Sequence, residues 1–174
     1  MIDVSTNKTK ETKGEFQMPV AYLDLPPGVA VEIKQKLLKE VAEFIHDAYL
    51  IPDTRVLLRE WTPEQISIDG ELGRPMRPIC IFVVPPGLPV EAKRQLVKRV
   101  SSAIAEACRL PREDVPLPSG KKVSTRWVLG FFSEYPLEQA SLDDLMAFEN
   151  PMVLESLEVV MQTQKDHPRR SRGN

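Results

Sequence analysis

The stretch "MPVAYLDLPPG" (Met18 to Gly28) returns 59 residues later as "RPICIFVVPPG" (Arg77 to Gly87). This repeat limits the fold more than any other feature, because a phrase written twice builds one supersecondary unit twice. Setting residue i against i+59 over positions 19–56 gives fourteen identities in thirty-eight positions without a gap. They include Pro19/Pro78, Glu32/Glu91, Leu37/Leu96, Val41/Val100 and Pro52/Pro111. Ordinary composition gives roughly two or three by chance. The chain carries an internal duplication.

Both copies share a grammar. Val20 to Leu25 and Ile79 to Val84 are short β-prone runs closed by Pro-Pro-Gly, which cannot continue a strand ladder. In the first copy Ile33, Leu37, Val41, Phe44 and Ala48 then recur at helical spacing, with Leu38 and Ile45 widening the stripe. Leu96, Val100, Ala103 and Ala107 answer in the second, with Val97 and Ile104. Each helix should run about twenty residues, ~30 Å, and stop near Pro52 or Pro111. A second strand follows in each copy, "RVLLREW" from Arg55 and "TRWVLGFF" from Thr125. Lys34, Lys36, Lys39, Lys93, Lys98 and Arg99 mostly lie off the stripes and read as a solvated helix face.

Strand, long helix and strand make a right-handed β-α-β unit. Two such units imply an α/β (α+β) fold, a four-stranded mixed sheet with two long helices on one face. The other face needs cover, so an oligomer is expected. The boundaries read as an arm over 1–17, a first repeat over 18–76 and a second over 77–136. A helical segment over 137–163 and a polar tail over 164–174 follow.

Composition removes several function classes. A net charge of -2 argues against a dedicated nucleic-acid or membrane-surface binder. No apolar run approaches the ~20 residues a membrane span needs. Cys80 and Cys108 are too few for a disulfide framework or a zinc site, and both read as buried packing in a reducing cytoplasm. No cofactor or metal is implied. Sixteen prolines punctuate the apolar segments and mark sharp element boundaries.

In order, Met-Pro opening a strand, Pro-Pro-Gly before a long helix, and "RVLLREWTPEQISIDGEL" (Arg55 to Leu72) resemble the tautomerase superfamily. The last stretch is similar to that family's second strand, Glu-x-x-Pro turn and Ile-x-Gly-Glu-Leu hairpin. The resemblance covers roughly Pro19 to Pro136. Two fused copies resemble its longer types, such as malonate semialdehyde decarboxylase, cis-3-chloroacrylic acid dehalogenase and macrophage migration inhibitory factor. Those types imply a homotrimer.

The resemblance also implies chemistry. Family members use an amino-terminal proline, a secondary amine whose pKa burial lowers toward neutrality, as general acid or base. Pro19 fills that role only where the chain begins there, by initiation at Met18 or by cleavage. Pro78 is always amide-bonded and reads as a relic of duplication. Arg55 matches a family arginine on the second strand, implying bidentate binding of a substrate carboxylate. Arg59, Arg77 and Arg126 are looser alternatives. His46 matches a histidine of the dehalogenase type and lies about 130° from the centre of its helix's apolar stripe.

The family arginine after the first strand is replaced by Val29 and Leu88. The dehalogenase-type tyrosine is Phe131. Asp143 and Asp144 follow the last strand, and Ser141 with Asp144 reads as a capping box at a helix start. After Pro151, "MVLESLEVVMQ" reads as an amphipathic helix for a neighbouring subunit. Three readings remain: a proline-dependent enzyme acting on a small 2-oxo, enol or unsaturated acid; a protein of the same fold without that chemistry; and a ferredoxin-like interaction module. A sheet in which each unit's strands are parallel and adjacent excludes the third.

Overall fold

The computed structural model describes residues 18–50, 54–142 and 145–165. The expected arm, the end of the tail, and Asp143 and Asp144 lie outside the described residues. The first repeat forms β1 (Met18–Leu25), α1 (Val31–Tyr49), β2 (Thr54–Glu60), β3 (Ser67–Ile68) and β4 (Glu71–Leu72). The second forms β5 (Ile79–Val84), α2 (Val90–Ala107), β6 (Glu113–Pro116), β7 (Lys122–Thr125) and β8 (Leu129–Glu134). It continues through β9 (Ser141–Leu142) and β10 (Leu145–Met146), and α3 (Pro151–Lys165) follows.

The central sheet has the order β2-β1-β5-β8. β1 runs parallel to β2 and β5 parallel to β8, while β1 and β5 are antiparallel. Each unit's strands are parallel and adjacent, which excludes the ferredoxin-like arrangement. Period-two alternation sorts the side chains. Ala21, Leu23 and Leu25 of β1 join Cys80, Phe82 and Val84 of β5 in the core with Leu37, Val41, Ile45, Leu96, Val100 and Ile104 of the helices. Burying each larger apolar side chain contributes roughly 1.5–3 kcal/mol. Phe82 stacks on Phe132 at 4.8 Å between ring centroids.

The other face is uncovered in the single chain. Its middle row runs Leu57, Tyr22, Ile81, Phe131 in register across the four strands. Leu57 is 49% exposed and Phe131 53%.

The duplication extends further than the ungapped match. Arg55 pairs with Val20 as Leu129 pairs with Ile79, so after the helices the offset becomes 74 residues. The 3-10 turns Pro63–Gln65 and Leu137–Gln139 keep that offset, as do the hairpins β3–β4 and β9–β10. "PEQISID" (from Pro63) therefore returns as "LEQASLD" (from Leu137). The difference of 15 residues is an insertion after α2 holding the β6–β7 hairpin. Two expectations change. The second repeat runs to about residue 150, and Ser141 enters a strand rather than capping a helix, because the repeat's hairpin overrides the local capping pattern. Strand β8 also starts at Leu129 rather than Thr125, since Trp127 adopts φ 56 and breaks the extended run.

Three of the six helix cations reach an acid outside their own helix. Lys34 bridges Glu60 at 2.6 Å and Lys93 bridges Glu134 at 2.8 Å, the same tie in each repeat. Arg99 of α2 reaches Asp47 of α1 at 3.0 Å and lies over the Phe44 ring. Helix α3 buries Val153 and Leu157 in this chain's own core, rather than lying wholly against a neighbour.

Candidate functional site

Because β1 and β5 are antiparallel, the two repeat prolines sit at opposite ends of the sheet. At the Pro19 end a cleft of about 460 Å³ opens between the start of β1, the start of β2 and the chain leaving β8. Val20, Arg55 and Val83, neighbours across three strands, line it with Tyr135, Gln139 and Ser141. Strand pairing places Arg55 directly beside Val20, whose other neighbour is Val83. Arg55 is the one charged residue among the lining residues. Its fork suits bidentate contact with a carboxylate. Tyr135 is positioned by its backbone N–H, which donates to the Val84 carbonyl at 3.2 Å. Burial pushes its phenol up to about 12, so the hydroxyl stays protonated at neutral pH and can donate a hydrogen bond.

Pro19 begins β1 and its ring is fully buried. The strand register shifts between Met18 and Val20, so the ladder is irregular where the proline enters. In this sequence its nitrogen is in a peptide bond with Met18. Pro19 does not line the cleft, although the adjoining Val20 does.

The remaining expected site residues are dispersed. His46 is exposed late in α1 and lines no described cleft, while its carbonyl accepts the Leu50 N–H. Arg59 lies at the far end of β2 and grips Asp24 bidentately, at 2.6 and 2.9 Å. The Trp61 indole donates to the same carboxylate at 2.8 Å. Asp24 is only 6% exposed, so this is a closed charge cluster, with Arg59 also over the Tyr22 ring. The hydrogen bond to Asp24 raises the Arg59 pKa further. Arg126 lies at the Pro78 end, away from the Pro19 cleft, and Arg77 lines the same distant cleft.

Sequence reasoning missed Tyr135, Gln139 and Ser141. The available signal was "LEQASLD" echoing "PEQISID", hidden by the 15-residue shift in offset. Burial pushes the Cys80 thiol up to about 12 and the Cys108 thiol up to about 11, so neither is a poised nucleophile. Among the described residues no cluster of three or more His, Cys, Asp or Glu could hold a metal ion, and no helix is long and apolar enough to cross a membrane.

No family model and no curated protein matches the sequence. Solved structures do match the fold. A fused 4-OT symmetric trimer superposes with a TM-score of 0.60 at 18% identity, over 75% of this chain and 97% of that one. A fused 4-OT asymmetric trimer gives 0.61 at 23% identity, over 74% and 96%. A protein crystallised after inactivation by 2-oxo-3-pentynoate gives 0.57 at 16%, over 73% and 94%. With the repeat topology above, this chain shares the fold of the fused 4-OT structures.

Proposed function

We propose that this chain is a tautomerase-superfamily enzyme acting on a small 2-oxo, enol or unsaturated carboxylic acid in the cleft at the start of β1. The observation that carries the reading is that Arg55 and Tyr135 line one cleft of about 460 Å³ together with Val20, the residue after Pro19. Arg55 holds the substrate carboxylate, and the protonated Tyr135 hydroxyl donates to the 2-oxo or enol oxygen. Pro19 supplies the proton-transfer group once the Met18–Pro19 bond is opened. The freed secondary amine then emerges from an apolar environment that favours its neutral form. Tautomerisation, hydration and decarboxylation all begin from this arrangement. Three copies covering one another's open sheet faces complete the assembly, and the fused 4-OT structures are trimers.

A chain prepared to begin at Pro19 is expected to turn over 2-oxo acids, and Pro19→Ala in that chain to abolish turnover. Arg55→Gln should raise KM about tenfold, the loss of one charge-assisted contact. Equal activity in Pro19→Ala overturns the proline mechanism. The complete burial of the Pro19 ring and its amide bond favour a second reading, a protein of this fold that binds or assembles without proline chemistry. Turnover absent from the Pro19-initiated chain supports that reading.

A further inference from the structure

The Pro78 end of the sheet holds a second cleft, of about 450 Å³, that the proposed reaction does not use. Three guanidinium groups, Arg74, Arg77 and Arg126, line it against one carboxylate, Glu113. That carboxylate already accepts the Trp127 indole N–H at 2.6 Å. Arg74 is paired with Glu71 on the neighbouring hairpin. Arg126 differs: its Nε is buried and, among the described residues, has no hydrogen-bond partner. A buried donor on a permanent cation is costly to leave unmade, so an anion at this position would satisfy it.

The cleft also has a flat apolar wall. Arg77 lies over the Trp127 ring at 3.7 Å, giving a stacked planar surface, and Pro78 and Leu110 line the same space. Trp127 is held at φ 56, a conformation that costs a non-glycine residue of order 1–3 kcal/mol and persists only where the surroundings enforce it. Its backbone N–H donates to the Thr125 hydroxyl at 3.1 Å. Glu113 belongs to the inserted β6–β7 hairpin, and Arg126 and Trp127 follow it directly, so the segment absent from the first repeat brings a carboxylate, a guanidinium and an indole to this cleft.

We propose that this cleft is a second ligand site, for a small carboxylate carrying a flat apolar body. The carboxylate takes Arg126 and Arg77, and the body lies along the Trp127 and Leu110 wall. The site stands independently of any reaction at Pro19.

Isothermal titration of the full-length protein with benzoate, acetate and inorganic phosphate tests the assignment. Benzoate should bind about tenfold tighter than either smaller anion, the difference made by the apolar body. Arg126→Gln and Arg77→Gln should each weaken benzoate about tenfold, while Arg55→Gln leaves it within about twofold. Circular dichroism checks that each variant is folded; if Arg126→Gln is not, the exposed Arg77→Gln decides. No benzoate binding, phosphate binding as tight as benzoate, or loss of binding in Arg55→Gln alone overturns the proposal.

Discussion

At the Pro78 end of the sheet, Asp24, Arg59 and Trp61 close a position that Val83, Ser133 and Tyr135 occupy at the Pro19 end. The correspondence follows from the offsets of 59 and 74 residues, and the backbone keeps it. The Trp61 N–H donates to the Leu25 carbonyl at 3.1 Å as the Tyr135 N–H donates to Val84. One repeat spends this place on a bidentate ion pair and an indole hydrogen bond. The other leaves small or neutral groups there, and a cleft opens with Arg55 on its wall. Duplication thus preserved the frame while the two ends took different side-chain chemistry. The cleft at the Pro78 end takes Glu113 from the inserted hairpin and Arg126 and Trp127 from the residues after it.

The shared frame sets the largest expected effect. Leu23 and Phe82 are equivalent core positions, and both are fully buried. Phe82→Ala should cost about 3–5 kcal/mol and Leu23→Ala about 2–5 kcal/mol in urea denaturation. Both variants should still unfold in a single transition; two separable transitions would break the description of one core shared by two repeats.

Next comes the closed cluster. Asp24→Val copies Val83 and leaves Arg59 and the Trp61 indole without their acceptor. It should cost about 2 kcal/mol, less than a fully buried pair would because the Arg59 side chain is 46% exposed. Adding Arg59→Ser, which copies Ser133, should recover most of that loss. Failure of the double variant to recover would mean the cluster holds the strand ends by more than its charges.

A smaller effect depends on pH. Cys80 stands where the first repeat has Ala21, and burial raises its thiol from the ordinary 9.0 to about 12. The folded state keeps the proton that the unfolded state releases. The thiol's contribution is therefore complete below pH 9 and is lost as pH rises toward 12. At pH 10 the loss is about 1 kcal/mol. Cys80→Ala should flatten stability over this range; an unchanged alkaline slope would assign it to other groups.

Most of the frame was legible because it is periodic. The repeat, the helical stripes and the Pro-Pro-Gly stops led to the two β-α-β units, and the Asp69-Gly70 turn, with φ 55 and 82, closes β3–β4 as its sequence implies. The pairing of Lys34 with Glu60 and of Lys93 with Glu134 was not legible, since periodicity shows which residues leave the stripe but not what they meet. The Pro19 cleft was half legible. Arg55 stood out by resemblance, whereas Tyr135 depends on a loop whose offset the insertion had moved. Arg59 and Arg126 were read as companions of Pro19 because they lie on or beside the second strands. Arg59 closes β2, which runs parallel to β1 and so ends away from Pro19, while Arg126 precedes β8, whose partner β5 runs against β1 in a direction that sequence alone does not fix.

Proline chemistry at Pro19 is tested by the intact mass of the protein from its native host, before and after 2-oxo-3-pentynoate. A chain beginning at Pro19 is expected, and it should gain the mass of one whole reagent as the amine adds across the alkyne and the proton moves to carbon. A chain retaining residues 1–18 and gaining no adduct would contradict it, leaving Pro19 as a buried strand residue.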